Sequence, residues 1–181
     1  MRKLEIGPHN LHKLGPDWET LDCIKKKHVD VVHDIRQLPW PYENDSFDFV
    51  LMNHVLEHLS WVHTVSYLKE IHRIIKPGGV FEVWVPDWDK IVAAAKDNSL
   101  IAKDGFYRHN PGKDPMRWVN IRLMADGPGE ERFHRAVFDR PYLKRCLVQA
   151  GFLEAMLKDL SKPSYGAYDH GYINLGIQAG K

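Results

Sequence analysis

This sequence has little cysteine, no long apolar run and no excess of charge of one sign. Its 181 residues include two cysteines, Cys23 and Cys146, which lie far apart and form no Cys-x-x-Cys pair. The sequence therefore predicts neither a zinc knuckle nor a disulfide framework, and a reducing cytoplasm is the expected setting. No apolar run approaches the roughly 20 residues that cross a bilayer, so no membrane partner is expected.

Charge is balanced along the chain. The 25 lysines and arginines and the 24 acidic residues leave a formal net charge of +1, and Lys25-Lys26-Lys27 is the only basic run. A run this short is typical of a solvated loop, and there is no basic stripe of the kind that binds a phosphate backbone. We therefore expect no nucleic-acid partner. The length favours one domain over residues 1–181.

The glycine-rich phosphate loops of nucleotide-binding proteins are also missing. A dinucleotide site needs Gly-x-Gly-x-x-Gly at the start of a helix, so that backbone N–H groups reach the pyrophosphate. The first turn here is Gly7-Pro8-His9-Asn10, which has one glycine and a proline without an N–H. No Walker sequence is present either. A ligand without phosphates is what such a chain would suit.

The order of the predicted strands and helices indicates an α/β fold with a mostly parallel sheet. Only seven residues separate Asp22 from Asp30, too few for a crossover helix, so the helices before residue 30 should be stunted or missing. Lys76-Pro77-Gly78-Gly79 is expected to end a helix. Strands are predicted over 3–6, 20–22, 30–33, 47–52, 80–85, 152–160 and 172–179, and helices over 60–76, 87–96 and 140–150, the last between an Asp139 N-cap and Gly151.

Residues 97–137 interrupt this alternation. Glycines and prolines recur there beside Phe106, Tyr107 and Trp118, a composition that favours loops and short helices. The segment lies before the sixth predicted strand. We expect it to be a substrate-binding or lid insertion within the single domain.

Polar residues follow the predicted strands at the point where each strand ends. They are Asp22, Asp34, Asn53, His54 and Asp87. Ligands of parallel sheets bind beyond these carboxyl ends. A carboxylate at Asp22 could accept both hydroxyls of a ribose, and Asp34 could accept an adenine amino group, with Ile35 lining the ring. Capping of a loop or helix is the commoner role of a single aspartate, and it stays open for Asp87 above all.

Segments along nearly the whole chain carry a family resemblance. They are Leu4-Glu5-Ile6-Gly7, Leu21-Asp22, Asp34-Ile35-Arg36-Gln37-Leu38-Pro39, Asn44-Asp45-Ser46-Phe47-Asp48-Phe49-Val50, Val55-Leu56-Glu57-His58, Ile74-Ile75-Lys76-Pro77-Gly78-Gly79, Pro86-Asp87 and His134-Arg135. In these segments the chain resembles the class I S-adenosylmethionine-dependent methyltransferases, and most closely the short subgroup called methyltransferase type 11. The resemblance implies a Rossmann-like sheet of about seven strands that binds S-adenosylmethionine. The first turn departs from the family pattern, which is Gly-x-Gly-x-Gly.

The resemblance also implies which residues meet the cofactor. Glu5 and Gly7 would face its methionine part and Asp22 its ribose. Asp34 would contact the adenine, and His54 would lie beside the sulfonium. The full expected set is Glu5, Gly7, His9, Asp22, Cys23, Asp34, Ile35, Asn53, His54 and Val55.

The reaction that the resemblance implies is transfer of the sulfonium methyl to an oxygen or nitrogen nucleophile. A base is needed only where the acceptor must lose a proton, and His54, His58 and His134 are the catalytic candidates. Aromatic and arginine side chains in the insertion favour a small polar, anionic or sugar-like acceptor. A homodimer is a further expectation, because a second subunit could shield the site.

Other interpretations stay open. Residues 54–58 match H-x-x-E-H, which on a helix can bind zinc, so a zinc hydrolase using His54, Glu57 and His58 is a less favoured alternative; no metal is predicted. A non-catalytic adenosine-binding or scaffolding module is the second alternative. His58 could instead bond a neighbouring backbone group, and His134 with Arg135 could tie down the insertion. The tryptophans expected to pack in the core or at its rim are Trp40, Trp84, Trp88 and Trp118.

Overall fold

A computed structural model of the chain describes residues 1–9, 12–101, 114–125 and 132–181. Its strands are β1 (Lys3–Ile6), β2 (Trp18–Asp22), β3 (Val31–Val32), β4 (Phe47–Asn53), β5 (Ile75–Pro86), β6 (Lys158–Leu160) and β7 (Asn174–Gly180). They form one sheet in the order β3-β2-β1-β4-β5-β7-β6. The pairs from β3 to β5 are parallel, and β7 runs antiparallel to both of its neighbours. The predicted seven-stranded, mostly parallel sheet is confirmed.

Five helices of the described residues flank the sheet, and sequence signals mark the ends of several of them. They are α1 (Thr64–Ile74), α2 (Trp88–Lys96), α3 (Asn98–Ile101), α4 (Pro115–Met124) and α5 (Arg140–Ala150), with 3-10 turns at Leu56–His58, Trp61–His63, Glu154–Met156, Ser164–Gly166 and Gly171–Ile173. The Asp139 carboxylate accepts from the Tyr142 N–H at the start of α5, and Gly151 ends this helix at φ +110°. Asp87 likewise caps α2 by accepting from the Asp89 N–H. Both predicted caps are confirmed.

Two predicted boundaries are wrong. The helix expected over 60–76 ends at Ile74, because the chain already joins the sheet at Ile75, which pairs with Phe47. The Lys76-Pro77-Gly78-Gly79 segment therefore lies within β5, as an irregularity of the register. The strand expected over 152–160 shortens to Lys158–Leu160, since a 3-10 turn occupies Glu154–Met156.

Successive side chains along a strand point to opposite faces of the sheet, so both faces need a covering layer. The two layers differ. Helices α1 and α5 pack against each other and cover one face. The core on that face includes Leu4, Ile6, Val50, Met52, Val83, Leu68, Ile71, Leu143 and Leu147. On the other face, Trp84 and Phe49 pack with Ala167 of the loop between β6 and β7. This loop reaches across the sheet because no helix precedes Leu56 in the described part of the chain, as predicted.

The insertion is described in part. Residues 102–113 and 126–131, with Phe106, Tyr107 and Arg108, lie outside the described residues. Of the rest, α3 and α4 pack on α2, and Trp118 is fully buried against Ile91. Trp40 and Trp84 are core residues as expected, and Trp88 lies at the surface. No described helix is long and apolar enough to cross a membrane.

Candidate functional site

A cavity of about 440 Å³ opens beyond the carboxyl ends of β1, β2 and β4. Side chains from the turn after each strand form one wall, and α4 with the segment after it forms the other. The polar and charged lining residues are His9, Asp22, Cys23, Lys26, Asp34, Arg36, His54, Glu57, His58, Arg122, Arg132, His134 and His170. A cavity of this size suits a small ligand.

Most of the residues predicted for the cofactor line this cavity. They are Gly7, His9, Asp22, Cys23, Asp34, Ile35, His54 and Val55. The three predicted catalytic histidines, His54, His58 and His134, line it too. Glu5 and Asn53 are buried within their strands and do not reach its surface. The Asn53 amide N–H₂ donates instead to the Tyr168 carbonyl at 2.8 Å.

The two strand-end aspartates each hold a basic side chain. Asp22 is buried, accepts from the Ile24 N–H and lies 2.6 Å from Lys26 Nζ. Asp34 is bound in a bidentate way by the Arg36 guanidinium, which holds the pKa of that carboxyl below its usual range. Both carboxylates thus lie beside a basic side chain on the cavity wall.

Gly7 makes the first turn at a point where a side chain has no room. Its φ is +64°, and its N–H donates to the Leu21 carbonyl at 2.8 Å. A Cβ built at Gly7 would lie 2.5 Å from Val55 Cγ2. One glycine therefore remains necessary in this turn although the family's other two are absent. Asn10 lies outside the described residues.

His54 stands at the end of β4 in a left-handed conformation that residues other than glycine adopt uncommonly (φ +54°). Its ring stacks on His170 at 3.7 Å between centroids, and its Nε2 lies 2.8 Å from Asn174 Oδ1. His170 comes from the loop before β7. Burial, with His54 and His9 nearby, lowers the pKa of His170 to about 2, so its imidazole is neutral.

Glu57, His58 and His134 form a second group on the cavity wall, each with a candidate ligand atom within 4.8 Å of the others. The Glu57 side chain is 1% exposed, and its Oε1 lies 3.1 Å from His54 Nδ1. Burial disfavours its charged form, but His54, His58 and His134 outweigh burial and lower the pKa of Glu57. Burial also lowers the pKa of His134. The group is thus a buried carboxyl among imidazoles.

The H-x-x-E-H motif does not form the helix that a zinc peptidase needs. His54 belongs to the strand end, and residues Leu56–His58 make a single 3-10 turn. With Nε2 against Asn174, His54 is already engaged. Within the described residues His58 Nδ1 has no hydrogen-bond partner, so that atom does not make the backbone bond that was the alternative for this ring. His134 and Arg135 do tie the insertion down, through Met124 and Glu57 backbone carbonyls.

Several lining residues escaped the sequence analysis as site residues. Lys26 and Arg36 could have been found, since they stand four and two residues after Asp22 and Asp34, within reach of the carboxylates. Arg132 lies in the insertion without a pattern to mark it. His170 gave no signal, because it meets His54 only through the fold, 116 residues further along the chain.

A wider groove of about 870 Å³ lies at the opposite end of the strands, against the starts of β4 and β5. Asp48, Gly78 and Lys162 are among its lining residues. Parallel sheets bind ligands at the carboxyl ends of their strands, which is where the smaller cavity lies. The smaller cavity is therefore the candidate site.

Glu5 lies beneath the cavity and has a raised pKa. Its side chain is 2% exposed, Oε2 has no partner among the described residues, and burial raises its pKa to about 7. The folded chain therefore keeps a proton that the unfolded chain loses near pH 4.5. Stability should fall as pH rises between these two values, by at most about 1.4 kcal/mol per pH unit.

The variant Glu5→Gln is expected to flatten this pH dependence, because a glutamine has no proton to lose. Urea unfolding at about pH 5 and about pH 8 measures it: the wild type should lose more unfolding free energy across that interval than Glu5→Gln does. Glu43→Gln, at an exposed glutamate, is the matched control and should leave the slope unchanged. Equal slopes for wild type and Glu5→Gln would contradict the prediction.

Comparisons with known proteins bear on the fold and the class of this chain. Residues 5–83 match the family model described as a methyltransferase domain. A search of curated protein sequences gave no match. Three solved structures share the fold at low identity. A Burkholderia thailandensis 1,6-didemethyltoxoflavin-N1-methyltransferase with bound 1,6-didemethyltoxoflavin and S-adenosylhomocysteine is 17% identical, with a TM-score of 0.53 over 98% of this chain and 69% of that one.

The other two come from thermophiles. A SAM-dependent methyltransferase from Thermotoga maritima is 20% identical, with a TM-score of 0.54 over 98% of this chain and 81% of that one. A SAM-dependent methyltransferase from Archaeoglobus fulgidus is 15% identical, with a TM-score of 0.57 over 99% of this chain and 86% of that one. The matched segment covers less than half of the chain, and together with the fold shared with these solved structures it supports placing the chain among the class I S-adenosylmethionine-dependent methyltransferases. Enzymes of that class use S-adenosylmethionine as their cofactor, so the comparisons favour an enzyme over the non-catalytic module.

Proposed function

We propose that this enzyme methylates an oxygen or nitrogen atom of a small polar acceptor, anionic or sugar-like, inside the 440 Å³ cavity. The observation that carries the proposal is the meeting of three kinds of group in one cavity. Strand-end carboxylates suit the hydroxyls of a nucleoside, imidazoles suit proton transfer, and the guanidinium of Arg132 at the rim suits an anion. The carboxylates would bind the cofactor, the guanidinium would bind the acceptor, and the imidazoles would take the acceptor's proton.

Asp22 would accept hydrogen bonds from the ribose hydroxyls, and Asp34 with Ile35 would bind the adenine. Gly7 supports this placement, because the missing Cβ leaves the strand end open where a side chain would collide with Val55. His9, which lines the cavity with Gly7 and Asp22, would make some of the cofactor contacts that the glycine-rich loop makes in the family. Cys23, Asn53 and Glu5 would complete the cofactor set, the last two from behind the cavity surface. The residues present therefore fit the cofactor.

When bound, the cofactor supplies a methyl group on a positively charged sulfur, which keeps the electron pair of the broken S–C bond as the acceptor atom forms its bond to carbon. The chain's own task is to hold the acceptor in line with that bond. Such positioning provides much of the lowering of the activation barrier in reactions of this kind. The acceptor proton leaves to a neighbouring imidazole. His58 and His134 are the candidates on the wall opposite Asp22, and His54 is the candidate at the strand end.

The small size of the acceptor is supported by the enclosed position of the imidazoles. The similar Burkholderia enzyme was solved with a small heterocyclic ligand, which agrees with such a substrate. Arg132 is exposed at the cavity rim and would contact an anionic group of the acceptor. The single domain over 1–181, the role of 97–137 as a substrate-binding or lid insertion, the homodimer and the cytoplasmic location are retained as parts of the proposal.

Methyl transfer from labelled S-adenosylmethionine to a panel of small acceptors tests the proposal. The panel pairs sugar phosphates and hydroxy acids with their uncharged analogues, and total RNA and denatured protein serve as macromolecular acceptors. We expect label in an anionic or sugar-like small acceptor, and Arg132→Gln should raise its KM more than that of the uncharged analogue. Lys69→Gln, at an exposed helix position away from the cavity, is the control. Label found only in RNA or protein would contradict the proposal.

A further inference from the structure

Backbone hydrogen bonds hold Glu57, His58 and His134 together. The Glu57 carbonyl accepts from the N–H groups of Arg135 and Ala136 at 2.7 and 3.0 Å, so the turn after β4 and the last residues of the insertion are bound to each other. The His134 N–H in turn donates to the Met124 carbonyl at 2.9 Å. These main-chain bonds thus bring the three residues together.

The imidazole of His134 is oriented as a ligand would be. Its Nδ1 lies 3.1 Å from the Arg122 carbonyl oxygen, which can only accept, so Nδ1 carries the ring proton. The Nε2 lone pair of the neutral ring is then free. Metal-binding histidines usually donate their second ring N–H to a carbonyl or carboxylate in this way. The His58 ring meets His134 edge to face, with 4.7 Å between centroids.

The polar atoms of this cluster lack the partners that burial demands. Within the described residues, neither carboxylate oxygen of Glu57 meets hydrogen-bond geometry, although its side chain is 1% exposed, and His58 Nδ1 is also buried without a partner. Buried polar atoms without hydrogen-bond partners are uncommon in native proteins, and a bound ion is one way to satisfy them. His54 Nδ1, 3.1 Å from Oε1, faces one oxygen only.

We propose that Glu57, His58 and His134 bind a divalent transition-metal ion such as Zn²⁺ on the wall of the cavity. Two imidazoles and one carboxylate are a common ligand set for zinc that retains an open fourth position. Harder cations such as Mg²⁺ prefer sites made of oxygen alone, so they should bind poorly here. The set differs from the H-x-x-E-H pair, because His134 takes the place of His54.

The open position of the metal would face the acceptor. With the ion bound, His58 and His134 serve as ligands, and His54 is the remaining candidate for accepting the proton. A bound metal ion lowers the pKa of a coordinated hydroxyl and so favours an oxygen nucleophile over a nitrogen one. This consequence rests on the proposed function, whereas the metal site itself rests on the cluster's geometry alone. Metal binding and methyl transfer are therefore measured separately.

The test is the zinc content of the full-length protein after incubation with Zn²⁺ and dialysis. We expect about one tightly held Zn²⁺ per chain, an X-ray absorption spectrum that fits two imidazoles and oxygen, and no comparable retention of Mg²⁺. The spectrum gives the ligand set without any variant. A sulfur ligand would point to Cys23, which lines the same cavity, and would overturn the assignment.

Variants locate the ion. Glu57→Gln and His134→Ala should each weaken Zn²⁺ binding by more than the roughly 10- to 100-fold typical of changes outside the ligand shell. His72→Ala, which removes a half-buried histidine that packs on Phe152, is the matched control and should keep its zinc. Circular dichroism reports whether each variant is folded.

The results that overturn the inference differ from those that overturn the proposed function. A wild type without retained zinc, or equal retention in Glu57→Gln and His134→Ala, contradicts the metal site, even where S-adenosylhomocysteine binds and methyl transfer proceeds. Zinc held by these three residues supports the site, even in a protein that methylates none of the small acceptors.

Discussion

Replacing Gly7 with alanine is expected to lower the free energy of unfolding by about 2–5 kcal/mol. A left-handed backbone costs a residue with a Cβ about 1–2 kcal/mol, and Gly7 has a φ of +64°. The new Cβ would also lie 2.5 Å from Val55 Cγ2, and such overpacking typically costs about 1–3 kcal/mol more. Because both residues line the cavity, cofactor affinity should fall with stability. Urea unfolding and equilibrium dialysis measure the two effects.

Gly78→Ala separates the two causes. Gly78 has a similar φ of +78°, but a Cβ there would meet no heavy atom within 4 Å. This control should therefore show the backbone cost alone, and it should leave cofactor affinity unchanged. Adding Val55→Ala to Gly7→Ala should recover part of the lost stability, since it removes the colliding methyl groups. A Gly7→Ala protein no less stable than Gly78→Ala would contradict the close approach.

Asp22→Ala is expected to weaken binding of S-adenosylmethionine by about 1–3 kcal/mol, or about 5- to 150-fold. The change leaves two ribose hydroxyls without their acceptor in a site that excludes much of the water. It also releases Lys26, whose Nζ lies 2.6 Å from the carboxylate. Equilibrium dialysis with labelled cofactor gives the ratio of Kd values directly.

Asp48→Ala is the matched control for this variant. Asp48 is also a strand carboxylate paired with a lysine, Lys76 at 3.0 Å, but it lies at the other end of the sheet beside the wider groove. Its replacement should leave the Kd unchanged. Unchanged affinity in Asp22→Ala, or a weaker Kd in Asp48→Ala, would contradict the placement of the ribose.

Local sequence signals predicted helix ends correctly where the hydrogen bonds involved join residues close in sequence. The caps at Asp87 and Asp139 and the stop at Gly151 were correct, because each is satisfied by neighbours in sequence. The segment from Lys76 to Gly79 was misjudged, because its pairing with the β4 edge is a long-range contact that outweighs the local preference of proline and glycine for a turn.

The candidate site could be predicted from the strand ends but not from the loops. Asp22, Asp34 and His54 stand where parallel strands stop, and topology alone brings such positions together. His170 reaches the cavity because the loop before β7 fills the space left by absent helices, a substitution that no local pattern encodes. The burial of the Glu57 carboxyl beside His54 likewise emerges only from packing.

A crystal structure of the chain with S-adenosylhomocysteine tests the central claim most directly. The predicted result is one ligand in the cavity, with both ribose hydroxyls on the Asp22 carboxylate, the adenine beside Asp34 and Ile35, and the sulfur directed toward His54. A ligand in the groove at the starts of β4 and β5, or an adenosine that makes no contact with Asp22, would contradict it.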